Sequence, residues 1–212
     1  MRFLSFIFFK FNFFFWFFLM NSYNAQMIYP NPNSFQGSDS ERIEQAVKEA
    51  KLSGLPVRIP PREADVISER TYWLLDKAIL LPGNCTLILD NCVLKLSDES
   101  RDNFIRSANC GYGISDIKEL QGIHIVGIGQ VELQGADKPR STGDSAKILG
   151  ERTYGTDAGK EGETANGDWR NIGILMANVK NFSISNLTIV ESHCWAISLE
   201  YCSYGKLENL SF

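Results

Sequence analysis

The tail of the chain repeats itself at a fixed interval, and that interval limits what the chain can fold into. Shifted by 23 residues, Ile172, Ile174 and Met176 fall on Trp195, Ile197 and Leu199, and Val179 falls on Cys202. Ile184, Leu187 and Ile189 fall on Leu207, Leu210 and Phe212, with Asn186 on Asn209. The stretch G-I-H-I-V-G-I-G-Q-V at 122–131 fits the template of N-F-S-I-S-N-L-T-I-V at 181–190, with Gly127 in the place of Asn186. A period of this length marks stacked supersecondary units. Each unit holds three short strands with Gly or Asn at the corners. One unit has too few apolar groups to fold alone. Stacked units line their inward residues into one core, where each fully buried Ile, Leu or Val contributes about 1.5–3 kcal/mol. Asn186 over Asn209 places side-chain amides at the same corner of adjacent turns, where they can hydrogen-bond along the stack. The expected fold is all-β, a parallel β-helix solenoid. By its register with Ile172, Trp195 is expected to point into the core.

The rest of the chain keeps the same rhythm. Short alternating runs, rich in Val, Ile, Thr and aromatics, recur at 72–75, 86–89, 92–96, 123–126, 172–176, 182–185, 187–190 and 195–199. Each is too short for a helix, and Gly, Asn and Ser separate them. A β-sandwich would need longer strands joined by hairpin turns, and N-G and D-G turns are scarce. Residues 38–53 read as the one clear helix. Ser38 and Glu41 fit a capping box, Ile43, Ala46, Val47 and Ala50 share a face, and Gly54 supplies the stop. V-R-I-P-P at 57–61 follows as a short strand. The helix is expected to cap the first turn, since an open solenoid end exposes both core and strand edges. Residues 136–170 break the rhythm with a long polar, Gly-rich insertion of the kind that walls a groove. Phe212 is an inward position halfway through a turn, so the chain is expected to be the amino-terminal part of a longer protein, truncated at its carboxy-terminal end.

Composition adds the compartment. Ten of the fourteen Phe lie in the first twenty residues, after Arg2 and around Lys10, and small and polar residues follow up to Ala25. This is the anatomy of a secretory signal peptide over 1–25, with 26–212 as the β-helix part and a secreted or periplasmic location. An uncleaved membrane anchor is the alternative, but the apolar run is short for a span. The net charge of −4 and the lack of a basic block exclude nucleic acid as an expected partner. Five Cys leave at least one unpaired. Cys85 and Cys92 are candidates for a bridge, although Cys is among the most buried residue types as a free thiol. No His/Cys spacing suits zinc, and no cofactor is expected.

The order of features resembles glycoside hydrolase family 28, the polygalacturonase group of the pectate-lyase-like right-handed β-helices. S-D-S-E-R-I-E-Q-A-V-K-E-A followed by V-R-I-P-P is similar to that superfamily's opening, and G-N-C-T-L-I-L-D-N-C-V-L-K-L to its early turns. The tail carries the most specific likeness. Arg170 precedes an apolar strand, N-V-K-N-F-S-I-S-N-L-T-I follows, and E-S-H-C-W at 191–195 keeps the Ser and Trp of the family's N-S-P-x-W. Glu191 and His193 depart from it. The resemblance implies a right-handed helix, hydrolysis of an α-linked galacturonide or related plant polysaccharide by paired Asp residues, and no metal. The family's Asn-x-Asp, Asp-Asp, His-Gly and Arg-x-Lys motifs follow the matching segment and are absent here, so this chain alone is expected to be inactive.

Glycoside hydrolysis needs two carboxyl groups across the scissile bond. Outward positions beside Trp195, Ile197 and Leu199 are Ala196, Ser198 and Glu200. Ser198 and Glu200 are candidates for substrate contact, together with His193 in the loop entering the strand and Arg170 before the preceding one. A solvated strand carboxylate is the plainer reading of Glu200. His124, on another outward position, reads as surface. An acidic polysaccharide is the expected partner and a monomer the expected state. A β-helix polysaccharide lyase would need an acidic cluster for calcium, and a non-catalytic glycan-binding or adhesin β-helix is the remaining class.

Overall fold

The computed structural model describes residues 29–64, 68–100, 102–111, 114, 116–137, 173–192 and 195–212. Residues 1–25, read above as a signal peptide, residues 138–170 of the insertion read at 136–170, and residues 193–194 lie outside them.

The helix forms where its caps and apolar face place it. Helix α1 spans Asp39–Ser53. Ser38 Oγ accepts from the Glu41 backbone N–H at 3.3 Å, and Glu41 Oε2 accepts from the Ser38 N–H at 2.8 Å, so two end donors are satisfied reciprocally. Gly54 ends the helix at φ 71°, where a side chain would be strained. Ile43, Ala46, Val47 and Ala50 are buried against the first three strands, β1 (Val57–Ile59), β2 (Trp73–Leu75) and β3 (Ile79–Leu81). Asp39 fixes the helix rotation. Its buried carboxylate accepts from Arg62 Nε at 2.9 Å, Arg70 Nη2 at 3.3 Å and the Leu74 N–H at 2.9 Å. Those partners offset the cost of burying its charge. Arg42 lies 4.9 Å over the Trp73 ring, whose Nε1 donates to Pro60 O at 2.8 Å.

Nine more strands follow: β4 (Cys85–Asp90), β5 (Val93–Leu96), β6 (Ile105–Ser107), β7 (Leu120–Ile128), β8 (Glu132–Gln134), β9 (Ile174–Ala177), β10 (Val179–Val190), β11 (Ile197–Glu200) and β12 (Ser203–Ser211). Among the described residues every strand pairing is parallel. The larger sheet runs β1-β4-β7-β10-β8-β5-β2, with β12 also on β10, and the smaller runs β11-β9-β6-β3. The runs at 182–185 and 187–190 are not two strands but one. Asn186, at φ 59°, bends β10 without interrupting its ladder, so its first part pairs with β7 and its last with β8.

The registers stack like on like. Val57, Leu87, Ile125, Ile184 and Leu207 form one column. Trp73, Leu94, Leu133 and Ile189 form a second, and Ile79, Ile105, Ile174 and Ile197 a third. The members of these columns up to Ile189 and Ile174 are buried in one continuous core. The 23-residue shift is therefore real geometry: Ile174 is paired with Ile197, Ile184 with Leu207 and Leu187 with Leu210. The expected amide stack also forms. Asn209 Nδ2 donates to Asn186 Oδ1 at 3.0 Å, and Asn186 Nδ2 to Gly127 O at 3.3 Å.

Trp195 corrects the expectation from the repeat. It is 57% exposed. Its carbonyl accepts from the Gly173 N–H at 3.0 Å, so the pairing reaches it, but β11 is the edge strand and no described neighbour covers it, which also leaves Leu199 38% exposed. Cys85, Cys92 and Cys110 are buried free thiols and Cys202 is a half-buried one. Burial pushes Cys85 up to about 11 and Cys92 to about 12, so both stay protonated and unreactive at neutral pH.

Candidate functional site

The candidate surface is the outward face of the smaller sheet where β9 meets β11. Strand alternation aims Ile197 toward the core and Ser198 away from it. Leu80, Arg106, Leu175 and Ser198 lie in one outward row, and Ala177 and Glu200 begin the next. Ser198 Oγ donates to Glu200 Oε1 at 3.4 Å, and both residues are half-buried. The structure thus brings together two of the four residues singled out from sequence. His193 and Arg170 lie outside the described residues.

A wall beside this pair was not foreseen. The described residues of 102–111 and 116–118 fold over the outward face of β6 and β9. Arg106 donates through Nε and Nη2 to the two oxygens of Asp102, both at 3.0 Å, and through Nη1 to Cys110 O. Burial works against the Arg106 charge, but the Asp102 carboxylate more than offsets it and raises its pKa. Asn109 Nδ2 donates to Lys118 O at 2.6 Å and Ala177 O at 2.7 Å, and Asn178 Nδ2 donates to Ile117 O at 3.0 Å. Under this wall Cys110, Leu175 and Ala177 form a small second core, with Ile117 packed on it. Burial raises the Cys110 thiol, and the nearby Glu200 charge adds to that. The sequence did carry a signal, an apolar Leu175 at an outward position, which wants cover.

Chemically, a hydroxyl and a carboxylate side by side can accept from and donate to sugar hydroxyls. They do not make a hydrolytic pair, which needs two carboxyl groups in separate roles. Asp102 is committed to Arg106. Among the described residues no group of three His, Cys, Asp or Glu could hold a metal ion. On the larger sheet, outward His124 is half-buried, with Nδ1 2.9 Å from Ser183 Oγ.

Compared with known proteins, the chain matches no family model, no curated protein and no solved structure.

Proposed function

We propose that the two sheets are faces of one right-handed parallel β-helix, and that the chain belongs to an exported protein directed at an acidic plant-type polysaccharide, resembling the polygalacturonases. The observation that carries this reading is the register of β3, β6, β9 and β11. It supports coaxial turns with isoleucines inward and two outward rows, one ending at Ser198 and the other at Glu200. Leu175 and Ala177 are buried under the cover on β9, so a polymer would meet this face at its edge, on Ser198 and Glu200 of β11. Ser198 and Glu200 are read as contacts to sugar hydroxyls. Hydrolysis belongs to paired carboxylates that this chain does not present at the site.

Electrophoresis of the purified chain through gels containing polygalacturonate tests the reading. Retardation is expected, and the double substitution Ser198→Ala with Glu200→Ala should reduce it severalfold. Unchanged mobility of the native chain would reject the glycan reading. New reducing ends should not appear on incubation with pectin. Their appearance would overturn the assignment of a non-cleaving chain, and an ultraviolet-absorbing unsaturated product would point to a lyase instead.

A further inference from the structure

We propose that the cleft between α1 and β3 binds a small amphipathic anion, a linear acyl carboxylate. The cleft has a volume of about 320 Å³, at the lower end of the range for small-molecule sites. Its walls are apolar: Ile43 and Val47 from the helix, and Ala78, Ile79 and Leu80 from the strand side. Leu80 is 43% exposed, an aliphatic side chain with one flank still open to water. Charge is confined to the helix side and the rim, where Lys48, Lys51 and Lys77 face one acid, Glu44. Glu44 is shared by Lys48 at 2.6 Å and Lys77 at 2.5 Å, and Lys77 also lies within electrostatic reach of Glu41, so the rim's remaining positive charge rests on Lys51. Lys51 meets no acid among the described residues.

That distribution selects the ligand. Apolar walls gain nothing from a sugar, whose hydroxyls would lose water without partners. A hydrocarbon tail gains from leaving water, and an anionic head at the mouth meets ammonium groups on flexible stems. A neutral amphiphile would lack the second contact. The inference does not rest on the glycan reading, since the cleft lies at the helix-covered end, away from Ser198 and Glu200.

Calorimetric titration of the full chain with decanoate, against decanol as the uncharged control, is the test. One saturable site is expected, with decanol at least tenfold weaker and decanoate weakened by added salt. Lys51→Glu should weaken decanoate about tenfold. Ala108→Trp should abolish binding, because Ala108 is an exposed residue on the rim and a large ring there plugs the mouth. An unchanged melting temperature and circular dichroism spectrum establish that each variant is folded. The proposal is overturned by absence of saturable binding, as when the Phe-rich opening of the chain fills the cleft. It is equally overturned if Ala108→Trp binds normally, or if Tyr204→Ser with Phe212→Ser on the exposed apolar face of β12 removes the signal instead.

Discussion

The corners of the stack depend on single residues. Among the described residues, six of the nine non-glycine residues at positive φ are Asn: Asn84, Asn91, Asn178, Asn181, Asn186 and Asn209. The left-handed region costs most side chains about 1–2 kcal/mol, and Asn tolerates it because its short amide can bond locally. Asn186 does more than tolerate it, since its amide links Gly127 below to Asn209 above. Asn186→Ala should therefore lower unfolding free energy by about 2–3 kcal/mol, from the backbone cost and two lost hydrogen bonds. Asn186→Gly should cost less, because only the bonds are lost. Urea unfolding midpoints of the two variants check the order. These corners were legible in the sequence, because an Asn at a fixed offset between alternating runs has few other uses. Four of them head N-x-S/T sequons, at Asn84, Asn181, Asn186 and Asn209, and the structure gives each amide position a conformational reason. Trp195 was not legible. A repeat aligns positions but does not say which strand forms the edge of the sheet, and on edge strand β11 no described neighbour covers the position.

At the scale of elements, α1 was the easiest to read, since its capping box, periodic face and Gly stop all agree. The three-residue strands β3, β6 and β8 were not read, whereas the equally short β1 and β2 were, each inside a more apolar or proline-bounded run. Nor was the fold of residues 102–111 and 116–118 over β9, which depends on Asn109 and Asn178 reaching carbonyls far along the chain. The helix carries a pH-dependent anchor. Hydrogen bonds from Lys48 and Lys77 hold the Glu44 carboxyl down at about 2. A depressed carboxyl stabilises the fold above its unfolded pKa of about 4.3, and the contribution is lost as pH falls toward 2. Glu44 is well exposed, so solvent screening limits the pair to about 1 kcal/mol or less. Glu44→Gln should lower the melting temperature slightly at pH 7, and the two melting curves should converge near pH 2.

For the whole molecule, stability resides in the columns. Ile105 sits between Ile79 and Ile174, fully buried in the middle of its stack. Ile105→Ala removes buried methyl and methylene groups and leaves a cavity that neighbours on both sides cannot fill, at a cost of about 2–5 kcal/mol. Ile128 is equally large but 46% exposed, so Ile128→Ala should stay within about 0.5 kcal/mol. Equilibrium unfolding of both variants separates column membership from mere hydrophobicity. The 23-residue shift anticipated the last step of two columns, Ile184 on Leu207 and Ile174 on Ile197, while the earlier members through Ile79 and Ile105 came from the structure.

The uniform direction of the strand pairs has a kinetic consequence. A parallel partner is reached only after a full circuit of chain, so no pair can close as a local hairpin. Such topologies mature late, because chain entropy is surrendered before the reward arrives. The first described helix to leave the ribosome is α1, but a helix of 15 residues is marginal alone, so it persists once β1, β2 and β3 pack on its apolar face. Later strands then pair in the order of their synthesis, each leaving a raw edge until its parallel partner arrives.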